Sequence, residues 1–276
     1  MILVGLLVVA TAGGMAWWHW LVRSPHPNHV VSDRVLRGRG VVIYTPSAAP
    51  RALMLFFGND IGFWRPHHEL AADLAAQGYA VAGIDIRPLF DSLPEEHAAR
   101  DSACARVIRD IALRVSRELA LDSTPVIIGG HSLGAELAVW AAARAGVPRV
   151  VGVLALSIGS RSHLRVTRSD ILMTSEPEGP ESFGVAELVG ELVRSHLRVA
   201  IIRGSHDKFG TADAALLGAG GALARRFSVP FASHSLRDLT LARYVIRDAM
   251  EWLLQPGARG AGRVARDGAR SSDHAD

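Results

Sequence analysis

Cysteine is almost absent: Cys104 stands alone among 276 residues. An internal disulfide is thereby excluded, and so is a zinc site built on several thiolates. The cellular compartment stays open, because a disulfide-free protein can live on either side of a membrane. Lysine is equally scarce. Lys208 is the sole one, so the basic charge rests on arginines scattered along the chain and in its tail, and the formal net charge is only +3. No basic stripe with interleaved aromatics occurs, which argues against a nucleic-acid partner. The pair His67 and His68 at a helix start looks metal-like, but without an acidic or histidine partner at ligand spacing it reads as surface. No metal and no cofactor is implied.

Charge is also missing from the first stretch of the chain. No Asp, Glu, Lys or Arg interrupts Met1 to Val22, and that length spans a bilayer core at about 1.5 Å per helical residue. Trp17, Trp18 and Trp20 suit the membrane–water interface. The expectation is an uncleaved inner-membrane anchor with the main domain facing the periplasm. Two observations compete with it. Small residues around Ala12 to Ala16 suit a cleaved signal peptide and export, although a basic n-region is missing. Arg23, Arg34, Arg37 and Arg39 follow the segment while no Lys or Arg precedes it, which by the positive-inside rule holds the domain in the cytoplasm. At the other end, residues 255–276 are rich in Gly, Ala, Arg, Ser and Asp without apolar periodicity, the composition of a disordered tail.

Between these ends, after a linker over 23–39, the composition supports one substantial core: 49% of the chain is hydrophobic and 21% charged. Short β-rich runs alternate with stretches of helical period, the pattern of a mostly parallel sheet covered by helices on both faces. Strands are expected over 40–44, 52–57, 80–86, 125–130, 149–156, 198–203 and 227–231. Helices are expected over 69–77, 97–119, 133–145, 186–195, 211–224 and 239–254. This makes 40–254 a single α/β domain without internal repeats. The segment 157–197 is longer than an ordinary connection and follows a strand end, where ligands bind in open α/β sheets, so it is the expected cap.

Gly130-His131-Ser132-Leu133-Gly134 reads G-x-S-x-G between a predicted strand and an Ala-rich helix. A serine on that turn is forced into a strained backbone geometry that lifts its hydroxyl into the crevice. The helix N-terminus behind it favours developing negative charge. Serine needs a base within hydrogen-bond reach, and the base needs a partner that fixes its tautomer. Asp207 follows the strand 198–203 and His234 follows the strand 227–231, so Ser132, Asp207 and His234 all fall just beyond strand ends, in the order Ser, acid, His. Local readings compete: Asp207 as a capping or turn aspartate, His234 as a polar loop histidine. For the oxyanion hole, Leu133 supplies one backbone N–H, and Asn59, or else Asp60, supplies the other from the loop after 52–57. Asp60, Trp64 and His131 are the candidate substrate contacts.

These motifs, in this order, resemble the α/β-hydrolase superfamily across 41–254. Within it, Phe56-Phe57-Gly58-Asn59-Asp60-Ile61-Gly62-Phe63-Trp64, then Gly83-Ile84-Asp85-Ile86-Arg87, the elbow, and His163-Leu164-Arg165-Val166-Thr167 look like the bacterial VirJ/AcvB virulence-protein branch. Members of that branch are exported and linked to hydrolysis of aminoacylated phosphatidylglycerol. The resemblance implies a serine hydrolase acting on a carboxylic ester through an acyl enzyme, with a small-molecule, lipid or aminoacylated-lipid substrate. A non-catalytic binding protein of the same fold, and an acyltransferase using the same nucleophile, are the alternatives.

Overall fold

The computed structural model describes residues 27–31, 40–172, 177–179, 181–235 and 239–255. Its eight-stranded sheet has the order β1-β2-β4-β3-β5-β6-β9-β10. The strands are β1 (His29–Val31), β2 (Val41–Tyr44), β3 (Ala52–Phe57), β4 (Tyr79–Ile84), β5 (Val126–His131), β6 (Val150–Leu156), β9 (Arg198–Gly204) and β10 (Ala224–Val229). The pairings β1–β2 and β2–β4 are antiparallel and the rest are parallel. The sheet therefore begins ahead of Gly40, because part of the expected linker adds an edge strand. A separate hairpin pairs β7 (Arg161–Ser162) with β8 (Phe183–Gly184).

Both faces of the sheet are covered, which is why β3, β4 and β5 are buried along their whole length and read as apolar runs without alternation. Side chains still point alternately to the two faces. Leu53, Leu55 and Phe57 of β3 join one core, with helices α2 (Ile86–Asp91), α3 (His97–Glu118), α4 (Leu133–Arg144), α6 (Val185–Arg194) and α7 (Asp213–Gly220). Met54 and Phe56 join the other, under α1 (Arg65–Ala76) and α8 (Leu239–Leu254).

Of the boundaries that differ from their expected places, which include the end of β4 at Ile84 and the span of α7, three have clear local reasons. Helix α1 starts at Arg65 rather than Glu69, because Pro66 sits in the first turn, where its missing N–H costs nothing. Strand β10 starts at Ala224, its exposed Arg225 and Arg226 concealing an edge strand in which Ala224, Phe227 and Val229 are buried, and it stops before Pro230. The expected cap narrows to an excursion over 157–184 carrying β7, β8 and the short α5 (Arg168–Leu172), since α6 packs in the helical layer instead.

The chain runs from β3 through α1 to β4 on one side, then returns to place β5 on the other side of β3. That reversal opens a crevice at the carboxyl ends of β3 and β5, where such sheets bind ligands. The predicted anchor (1–22) and nearly all of the predicted tail (255–276) lie outside the described residues, and no described helix is long and apolar enough to cross a membrane.

Candidate active site

Ser132 occupies the turn between β5 and α4 at φ 53° and ψ −124°, a strained conformation for a residue with a side chain. Two glycines make this turn feasible. A Cβ on Gly130 would fall 2.1 Å from the Gly134 carbonyl oxygen, and one on Gly134 would fall 2.0 Å from the Gly58 carbonyl oxygen. The second contact also shows how closely the loop after β3 is held against the first turn of α4.

The Ser132 hydroxyl lies 2.9 Å from Nε2 of His234, and Nδ1 of that ring lies 3.0 Å from Asp207 Oδ1. An ionised carboxylate only accepts, so the proton of the neutral imidazole sits on Nδ1 and Nε2 is left to accept from Ser132. Asp207 also receives the Phe209 amide at 3.0 Å, capping the short 3-10 turn Lys208–Ala212. One carboxylate thus performs both the capping role and the orienting role. Burial pushes its pKa upward, but hydrogen bonds from His234 and Arg203 outweigh this and hold it well below the usual carboxylate range.

Arg203 carries no sequence-level signal for this role. It projects from β9, is 2% exposed, and donates from Nη1 to Asp207 Oδ2 at 2.8 Å. Its remaining nitrogens reach Asp213 Oδ1 at 3.0 and 2.7 Å and the Ile158 carbonyl at 2.6 Å. A buried guanidinium facing two carboxylates and a carbonyl fixes the acid from behind.

The crevice before Ser132 encloses about 460 Å³, its open mouth included, and is lined by Asp60, Leu133, Glu136, Gly159, Arg161, Asp170 and Phe209 among others. Phe209 packs edge-on against the His234 ring, with centroids 4.8 Å apart. Leu133, the first residue of α4, is among the lining residues. Asn59 lies at the root of a tight turn in which its carbonyl accepts from Gly62 N at 2.8 Å and its side chain from Ile61 N at 3.2 Å.

The three expected substrate contacts separate. Asp60 lines the crevice; burial raises its pKa, against the pull of its own backbone amide, and Asp170 raises it further. Trp64 instead caps α1 from outside the crevice lining. His131 is turned inward at 4% exposure, its ring bonded to His67 Nε2 at 3.0 Å and to the His234 carbonyl at 3.2 Å. His131 is buried like every other residue of β5, because both faces of the sheet are covered. His67 and His68 are likewise not a surface pair: His67 is 3% exposed, and Nδ1 of His68 is bonded to the Tyr44 hydroxyl at 2.7 Å. Among the described residues no group of three His, Cys, Asp or Glu is arranged to hold a metal ion.

No known sequence family matches the chain, and no curated protein does. Solved structures share its architecture. A Klebsiella pneumoniae protein described as a dienelactone hydrolase is 16% identical, with a TM-score of 0.56 over 80% of this chain and 95% of its own. An esterase domain from Rhodothermus marinus is 18% identical, with a TM-score of 0.54 over 81% and 95%. A siderophore hydrolase from Aspergillus fumigatus is 14% identical, with a TM-score of 0.55 over 79% and 95%. The chain has the α/β-hydrolase fold.

Proposed function

We propose that the protein is a serine hydrolase of carboxylic esters. The observation that carries this is the continuous set of contacts from Asp207 through His234 to Ser132 at a strained turn beside a crevice. His234 takes the Ser132 proton as the hydroxyl attacks the ester carbonyl. The amide of Leu133, with that of Asn59 in the loop after β3, receives the oxyanion. His234 returns the proton to the leaving alcohol, and water repeats the sequence to free the acid. A fluorophosphonate probe is expected to label the protein at Ser132 and to leave Ser132→Ala unlabelled. Folded wild-type protein that stays unlabelled would favour a non-catalytic binding role. Product analysis with competing alcohols or amines separates hydrolysis from acyl transfer.

The crevice also favours a class of acyl group. Asp60 lines the crevice in front of Ser132, and Arg87 and His234 act on its carboxyl through their fields, with no ion pair to it among the described residues. A substrate ammonium would supply that pair, as in the aminoacylated lipids linked to the VirJ/AcvB branch. Exposed Ile61 and Phe231 follow the carboxyl ends of β3 and β10, and exposed Ile171 and Leu172 end α5, whose Ser169 and Asp170 line the crevice, which suits an apolar neighbour and a tether through residues 1–22. Asp60→Asn is expected to raise KM for a cationic aminoacyl ester about 10- to 100-fold, the value of one hydrogen-bonded charge, and to leave a neutral acyl ester within about threefold. Equal effects on both esters would remove the ammonium assignment while leaving the hydrolase intact.

A further inference from the structure

The inward ring of His131 belongs to a chain whose protons can be assigned from one end. A carbonyl oxygen only accepts, so the 3.2 Å contact with the His234 carbonyl places a proton on His131 Nε2. In the neutral ring Nδ1 is then an acceptor, and the donor 3.0 Å away is His67 Nε2–H. That leaves His67 Nδ1 as an acceptor, facing the Trp64 backbone N–H at 3.4 Å. Both rings stay neutral because they are buried. Burial lowers the His131 pKa to about 4, and lowers that of His67 well below its usual value, aided by His131 and His68 and opposed by the Gly62 carbonyl.

The chain joins the three loops that the reaction requires. Trp64 ends the segment that begins with Asn59 and Asp60, His131 directly precedes Ser132, and the final acceptor is the backbone of His234 itself. Among the described residues this is the sole hydrogen bond to the backbone of His234. The imidazole is thus held through its ring by Asp207 and through its main chain by His131. We propose that His131 and His67 are positioning residues, a buried imidazole relay that keeps the general-base loop in register with the nucleophile and the oxyanion loop.

The inference rests on the hydrolase reading, and its test separates the two. His131→Gln keeps one acceptor and one donor in a flat side chain, whereas His131→Leu keeps only the volume. Against a neutral soluble ester, His131→Leu is expected to lose about 10- to 100-fold in kcat with KM nearly unchanged, the size of a supporting-residue or small-misplacement effect. His131→Gln is expected to retain kcat within about fivefold, and the rate of fluorophosphonate labelling should follow kcat in both. A folded Leu variant with wild-type kcat overturns the relay, as does equal loss in both variants, which would make ring shape the cause. Should His131→Leu fail to fold, His67→Leu breaks the chain one link away and is expected to give the same fall in kcat; unchanged kcat there overturns the proposal. Wild-type protein that cannot be labelled at all defeats the hydrolase reading instead.

Discussion

Ser132→Ala is expected to lower kcat for an activated ester on the order of a millionfold, with the fold intact. The size follows from the arrangement. The Ser132 hydroxyl lies 2.9 Å from the imidazole, and on the proposed mechanism its loss leaves the oxyanion site and the base without an intermediate to act on. Alanine keeps the strained backbone of the turn, so melting temperature should hardly move. Asp207→Asn gives a sharper geometric test. The amide can donate to His234 Nδ1, which favours the tautomer with its proton on Nε2, the nitrogen that must accept from Ser132, and kcat should fall roughly 10⁴-fold. Initial rates per mole of folded protein measure both effects, and active-site titration with a fluorophosphonate reveals any wild-type contamination of the Ser132→Ala sample. A Ser132→Ala preparation keeping a tenth of the wild-type rate, after contamination is excluded by the titration, would assign the chemistry to another group.

The parts of this machinery visible in the sequence are those tied to backbone punctuation. Ser132, Asp207 and His234 each follow a strand end, and strand ends can be read from apolar runs closed by glycine or small polar residues. The elbow could be placed because Gly130 and Gly134 bracket the serine and an Ala-rich helix follows. Side-chain direction inside the core is another matter. His131 reads as a substrate contact in the sequence, yet it is buried like the rest of β5 because helices cover both faces of the sheet. His67 reads as a surface residue because no partner stands near it in sequence; its partner is 64 positions away. Arg203 closes an apolar run, where an arginine suggests a strand end rather than a support for Asp207, and Asp213, its other carboxylate, looks like an ordinary first-turn helix residue. The excursion over 157–184 illustrates the same limit, because only packing shows that α6 belongs to the helical layer and not to the cap.

Arg203→Met is expected to cost roughly 3–5 kcal/mol of stability, the range found when one partner of a buried ion pair is removed. Methionine matches the length of the arginine stem, so the loss should come from charge rather than volume. It leaves Asp207 and Asp213, whose side chains are 0% and 4% exposed, facing each other's field without the guanidinium between them. Lysine should rescue only in part: a point charge cannot reach Asp207, Asp213 and the Ile158 carbonyl together, as the planar fork does. The pH dependence has a definite sign. The folded-state pKa of Asp207 is depressed, so its stabilising contribution is fully present above the unfolded carboxylate value, about 3.9, and is lost as pH falls below it toward the folded value. Removing Arg203 takes away one of the bonds responsible, which raises the folded value and shrinks the acid-sensitive contribution. Urea titrations between pH 7 and pH 3 should therefore show a lower midpoint for Arg203→Met at pH 7, with a gap from wild type that narrows on acidification. Equal midpoints at pH 7 would show that the guanidinium holds neither carboxylate in place.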